Sequence, residues 1–187
     1  VLVALLAVAG PGSLRAQVAD TIGTRASLAV EGSLRLTRIR GETVRMGGAA
    51  ALLNLGGRLS FGLAGWTLFS DLPVERPGGS LDFSFSYGGA IGELRLVNNG
   101  EAVYSARLLV GAGTGKLNLP AVGTEIEADN VGVLEPEGCA SFSPVRRVRL
   151  DAAVGYRIVF GVQDLPGITA GDLRGPTGRI SLRLRAF

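Results

Sequence analysis

The 187-residue chain contains no histidine, one cysteine (Cys139) and one lysine (Lys116). Without histidine, most general-base chemistry and many metal sites are excluded. A single cysteine permits no internal disulfide. No run of about 20 apolar residues is present, so no transmembrane helix is expected. Charge is also sparse: charged residues make up 19% of the chain and the net charge is only +3. The basic residues alternate along the sequence instead of clustering, which leaves no nucleic-acid footprint.

Apolar residues are plentiful but thinly spread. They make up 47% of the chain, beside 29 glycines, and the mean hydropathy is +0.34. That is too apolar for an ordinary soluble domain of this size. Apolar content distributed in alternation is the weak signature of a transmembrane β-barrel.

The N-terminus reads VLVALLAVAGPGSLRAQ. An apolar stretch from Val1 to Ala9 is broken by Pro11 and Gly12, and Leu14-Arg15-Ala16 resembles a signal-peptidase site. Residues 1–16 are therefore expected to be a signal peptide and 17–187 the barrel domain. No cysteine follows the cleavage point, so no lipoprotein anchor is expected.

A period of two runs through the rest of the chain. Leu28, Val30, Leu34 and Leu36 alternate with Glu31, Ser33, Arg35 and Thr37. Val44, Met46, Ala50 and Leu52 alternate with Arg45, Gly47 and small residues, and Leu59, Phe61 and Leu63 with Arg58, Ser60 and Gly62. Leu81, Phe83, Phe85 and Tyr87 alternate with Asp82, Ser84 and Ser86; beyond Gly88-Gly89 the apolar residues fall on the other parity, at Leu94 and Leu96. Paired glycines at such a change predict a bulge or barrel corner there. Tyr104 to Val110, Leu134 to Phe142, Val148 to Phe160 and Ile180 to Ala186 supply four more strands. Their opposite faces carry Arg107, Glu135, Glu137, Arg149, Asp151, Arg157, Arg179 and Arg183.

The count is eight. Links after the second, fourth and sixth strands are short, and those after the third, fifth and seventh are long; the first link is also short. Short turns on one rim and long loops on the other is the outer-membrane pattern. The expected fold is thus all-β, an eight-stranded antiparallel up-and-down transmembrane barrel in the bacterial outer membrane. Its expected partners are the lipid bilayer, the barrel-assembly machinery, and an unknown ligand at the long outer loops. A soluble lipocalin-like barrel holding an apolar ligand inverts the two faces, and alternation alone does not separate the two. The near absence of charge from one face favours lipid outside.

Charges inside a narrow barrel must pair. The expected lumen network is Glu31, Arg35, Asp82, Arg107, Glu135, Glu137, Arg149, Asp151, Arg157 and Arg183, with Glu93, Arg45 and Arg58 as further members. The role expected of it is structural. Trp66, Phe69, Tyr87, Tyr104, Phe142, Tyr156 and Phe160 are candidates for interfacial girdles.

Several motifs resemble, in order, those of a family of poorly characterised exported bacterial β-barrel proteins. They are Tyr87 to Gly89, Val110 to Gly113, Val133 to Pro136, Tyr156 to Gly161, and Gly167 to Gly175, within a likeness running from about Val44 to Phe187. The resemblance implies an outer-membrane-type barrel and no activity. The last strand departs from the usual assembly signal: Arg185, Arg183 and Ser181 occupy the steps back from Phe187 where apolar residues are wanted.

No enzymatic constellation is convincing. GAGTGK (Gly111 to Lys116) lacks the leading glycine and the Ser or Thr of a phosphate loop. Glu135 and Glu137 lie roughly 7 Å apart on one strand face, a spacing for acid–base work, but arginines flank them. Glu125, Glu127 and Asp129 crowd one expected long loop and Asp164 and Asp172 another, oxygen-rich loops that suit calcium or plain solvation. Outer-membrane barrel enzymes mostly rely on histidine. No catalytic residue, cofactor or metal is expected.

Overall fold

The computed structural model describes residues 26–69, 72–76, 79–100, 102–118, 125–145, 147–163, 165 and 167–185. The segment read as a signal peptide and the terminal Phe187 lie outside these residues.

Among the described residues nine strands follow in order: β1 (Ser27–Ile39), β2 (Glu42–Leu55), β3 (Leu59–Leu68), β4 (Leu72–Arg76), β5 (Gly79–Asn98), β6 (Ala102–Asn118), β7 (Glu125–Val145), β8 (Val148–Phe160) and β9 (Gly175–Arg185), with a one-turn helix α1 (Ala170–Leu173) before β9. Each pairs antiparallel with its sequence neighbour, except around β4. β3 pairs with Ser86 to Leu94 of β5, and β4 with Gly79 to Phe83 of the same strand. β3 and β4 therefore share one stave, and β1 pairs with β9 to close the ring. The result is a closed eight-stranded antiparallel barrel. Closure pairs each stave of the ring on both sides, which removes the open edges of a sheet there; β4 pairs with β5 alone.

Turn chemistry fits the hairpins. β1 and β2 are joined by Arg40-Gly41, both at positive φ (54° and 81°), as a tight two-residue hairpin requires. Arg40 is the only non-glycine residue at positive φ among the described residues. Its backbone N–H donates to the carbonyl of Asp172, 2.7 Å away, so the turn is held from above by α1. Gly56-Gly57 (57° and 79°) turns β2 into β3 at the other rim.

The two faces differ sharply. Outward positions of β8 run Val148, Leu150, Ala152, Val154, Tyr156, Ile158 and Phe160 without a charge over its 13 residues. At about 3.3 Å per residue and a tilt of about 40°, that band is about 30 Å tall, the size of the apolar band of a membrane barrel. Among the described residues, charges on outward strand positions (Arg38, Arg45, Asp82, Lys116) occur toward the rim of the long loops. Phe61, Tyr104 and Phe142 are exposed toward the short-turn rim, and Phe69, Tyr156 and Phe160 toward the other. That places aromatics at both ends of the apolar band.

Three expectations are corrected here. Gly88-Gly89 is no bulge: β5 keeps continuous register with β3 and β6 through it, and the irregularity lies between Arg95 and Val97. Odd-numbered residues of β5 therefore point inward from Leu81 to Arg95, and Phe83, Phe85 and Tyr87 fill the lumen instead of facing out. The same holds for Val44, Met46, Ala50 and Leu52 of β2. Trp66 and Tyr87 are consequently lumenal, not girdle, residues. Finally, Gly111 to Lys116 is part of extended β6, and Glu127 and Asp129 lie on β7, not in a loop.

Candidate functional site

The lumen has two storeys. Toward the long-loop rim it is apolar: Ile39, Met46, Phe83, Leu117, Val131 and Val159 are all buried. The segment after β8 folds into this mouth, burying Leu165, Ile168 and Leu173. A Cβ on Gly115 would run into Leu165 and Phe83, so glycine on β6 makes the room for that plug.

The other storey is ionic. Arg35, Arg107, Arg149, Arg179 and Arg183 meet Glu31, Glu93, Glu135, Glu137 and Asp151, and no member is more than 7% exposed at the side chain. Positive and negative groups balance. Register creates many of the encounters: Glu31 lies opposite Arg183, and Arg107 opposite both Glu93 and Glu137.

Glu31 is one hub. Arg107 grips it with both terminal nitrogens at 3.0 and 2.9 Å, Arg179 donates at 2.6 Å, and Arg183 lies at 2.9 Å. Glu93 is the second, with Arg107 at 2.8 Å, Arg183 at 2.7 Å and Arg149 at 3.5 Å. Asp151 joins Arg149 (2.8 Å) and Arg183 (2.9 Å). Such forked arginine–carboxylate contacts fix geometry as well as energy.

Arg35 links the storeys. It donates to Glu135 at 2.8 Å and to Glu137 at 2.5 Å, and also to the Tyr87 hydroxyl. The same hydroxyl donates to Glu135 at 2.7 Å. The guanidinium lies over Trp66, 4.0 Å from the ring centroid, and the indole N–H donates to Ser33 at 3.0 Å. A stacked cation over a buried indole is a favourable desolvated contact.

Of the residues expected in the network, Glu31, Arg35, Arg107, Glu135, Glu137, Arg149, Asp151 and Arg183 are brought together. Asp82 is not. It sits on the outward parity of β5, half-buried beside Pro73 and Asn118, because the uninterrupted register puts even residues outside. Arg45 and Arg58 are exposed, on the outer face and in a turn. Arg157 is fully buried but reaches no carboxylate among the described residues. It donates to the carbonyls of Leu173 (2.8 Å) and Arg38 (3.1 Å) and lies over Phe85 and Tyr87. Arg179, Tyr87 and Trp66 join the network without having been singled out for it. Alternation placed Arg179 on the polar face, whereas Tyr87 and Trp66 carried no signal of their inward direction.

Arg157 thus fastens α1 to β1. The helix is also capped locally: Thr169 and Asp172 exchange side-chain-to-backbone bonds, and the two donors of Thr169 hold the Asp172 carboxyl below the usual carboxylate range. Arg157→Met would leave two carbonyls unserved, at about 1–3 kcal/mol each. We expect faster protease cleavage within 161–174 while the barrel stays folded; unchanged cleavage would assign the cap to the Thr169–Asp172 contacts alone.

Among the described residues no group of three or more His, Cys, Asp or Glu side chains is placed to hold a metal. Glu135 and Glu137 are both engaged by Arg35, and Glu137 also by Arg179 at 3.0 Å. Cys139 is buried, with Arg179 donating to its sulfur at 3.5 Å.

Solved structures with the same fold are eight-stranded barrels of the outer-membrane type. Neisserial surface protein A matches with a TM-score of 0.60 at 12% identity, over 86% of this chain and 96% of that one. Ail, the attachment invasion locus protein of Yersinia pestis, solved with the heparin analogue sucrose octasulfate, matches at 0.52 and 14% identity, over 87% of this chain and 99% of that one. The N-terminal β-barrel domain of Pseudomonas aeruginosa OprF gives 0.50 at 6% identity, over 87% and 100%. At these identities the likeness is one of fold. No family model and no curated protein matches the sequence.

Proposed function

We propose that the chain is a non-enzymatic barrel of the bacterial outer membrane, acting structurally or by presenting its long loops to a ligand or neighbouring protein. One observation carries the reading: the outer face is an uncharged apolar band, while the charges are paired inside. Water outside such a band would be a standing aggregation hazard; lipid outside is its natural solvent. The fold neighbours support the reading, since Ail is described as an outer membrane protein and was determined in a phospholipid bilayer nanodisc.

In this reading residues 1–16 direct export, the barrel-assembly machinery inserts the chain, short turns face the periplasm, and the long loops face outward. The lumen is an internal brace and not a channel or active site, because its carboxylates are committed to arginines. A lipocalin-like role is less well supported. The apolar storey that would receive a ligand is occupied by Leu165, Ile168 and Leu173.

The test is heat modifiability of the membrane-extracted protein. We expect the unboiled sample to migrate faster than the boiled one on an SDS gel and to resist protease. Release in soluble form with no shift would overturn the membrane reading.

A further inference from the structure

The outer face of the barrel is not evenly filled. A groove of about 540 Å³ crosses β3, β5, β6 and β7. Its floor is Gly92, Ala106 and Gly138, and its walls are the outward side chains of Phe61, Leu94 and Leu108. Packing does not require either glycine. A Cβ on Gly92 would lie 3.9 Å from the Phe61 ring, and one on Gly138 would lie 4.0 Å from the Val154 carbonyl, both ordinary contacts. Glycine inside a strand weakens it and often marks a place where a ligand comes close. What the two positions keep here is an open floor.

The course of the groove and the charge at its end select the occupant. Leu59, Leu94, Ala106 and Gly138 stand opposite one another in a single register row. Because barrel strands tilt, such a row climbs around the wall. This one starts at Leu59, the first residue of β3 at the short-turn rim, and reaches Gly138 opposite Val154, midway along β8. The groove therefore leads from one rim of the apolar band to near its centre. Arg58 precedes Leu59 in the β2–β3 turn, is exposed, and forms no ion pair among the described residues. The Arg95 N–H donates to the Arg58 carbonyl at 2.8 Å and holds that turn in place. A cation at the rim and an apolar channel leading from it to mid-height match a lipid, whose phosphate stays at the surface while its chain points to the bilayer centre.

We propose that the groove holds one acyl chain of an anionic phospholipid from the leaflet at the short-turn rim, with its phosphate on Arg58. The inference rests on the membrane reading. Lipid tails are as apolar as the barrel wall, so selection comes from close packing in the groove and from the charge at its end. An anionic headgroup brings net negative charge to Arg58, whereas a zwitterionic one brings its own cation. A second barrel is a poorer occupant: a two-fold contact presents the same patch from both sides, and a groove facing a groove leaves a void.

The test is native mass spectrometry of the full chain released from maltoside micelles holding phosphatidylglycerol and phosphatidylcholine in equal amounts, with the unboiled gel shift confirming the fold of each sample. The wild type is expected to retain one phosphatidylglycerol. Gly92→Leu and Gly138→Leu fill the floor and should each cut retention about tenfold, the equivalent of roughly two methylenes of lost contact. Arg58→Gln should cut it about fivefold and erase the preference over phosphatidylcholine. Gly32→Leu, at an outward glycine of β1 with nothing near its Cβ position, should leave retention unchanged. A gel-shifted barrel that retains no phosphatidylglycerol, or loses it equally in Gly32→Leu, would overturn the inference and leave the membrane reading standing. A dimer abolished by Gly92→Leu would give the groove to a second copy and overturn it as well. A chain with no gel shift would overturn the membrane reading itself.

Discussion

Glu31→Gln should destabilise the barrel by about 3–5 kcal/mol, the cost of breaking a buried ion network from one side. Glu31 is bonded to Arg107, Arg179 and Arg183 at once, and its side chain is fully buried. Neutralising it leaves those three guanidiniums short of a shared acceptor and the network one positive charge in excess. Trp66 is the only tryptophan and stacks on Arg35 of the same network, so its fluorescence reports unfolding in urea. Arg107→Gln should be costly for the mirror-image reason. The double variant restores neutrality and should cost clearly less than the two single losses combined, because neighbours in one network are not additive. A Glu31→Gln loss below about 1 kcal/mol would mean that the lumen is hydrated enough to screen these pairs like surface ones.

Val154→Arg should cost about 2–4 kcal/mol in phosphatidylcholine vesicles, as a cation does on the lipid face of a barrel near the midplane. Val154 is 72% exposed, halfway along β8, and faces outward between Gly138 and Gly178 of the flanking strands. The substitution meets no packing obstacle, so its cost measures the solvent outside and little else. At a water-exposed site the same change should fall within about 0.5 kcal/mol of zero. The urea midpoint of the vesicle-inserted protein decides between them. A neutral Val154→Arg would place water around the barrel and revive the soluble reading.

How much of this was legible in the sequence varied by strand. On β1, β8 and β9, charge marks one face: Glu31 and Arg35, Arg149 and Asp151, Arg179 and Arg183. Charge in a chain with a long uncharged face identifies the lumen side directly. On β2 and the first half of β5 the marker fails. Val44, Met46, Phe83, Phe85 and Tyr87 alternate with serine, glycine or residues near a rim, and small neutral side chains tolerate either side. Period two fixes that faces alternate but carries no sign. The sign follows from hydrogen-bond register, where a one-residue slip would turn every side chain over. Because β5 runs unbroken from Phe83 to Glu93, the inward Glu93 dictates the inward Phe83.

The sequence by itself therefore determined the number of staves, the uncharged band, and most of the ionic partners. These are local properties of composition and period. The links read as long after the third and fifth strands are largely strand, in β4, β6 and β7. Only the tertiary structure decided that the lumen is half apolar, that Asp82 stands outside, and that Arg157 serves backbone carbonyls in place of a carboxylate. The physical reason is closure. Segments as far apart as Glu31, Arg107, Glu137 and Arg179 meet only when β1 joins β9 and β3 joins β5, and no local pattern encodes who lies across the ring.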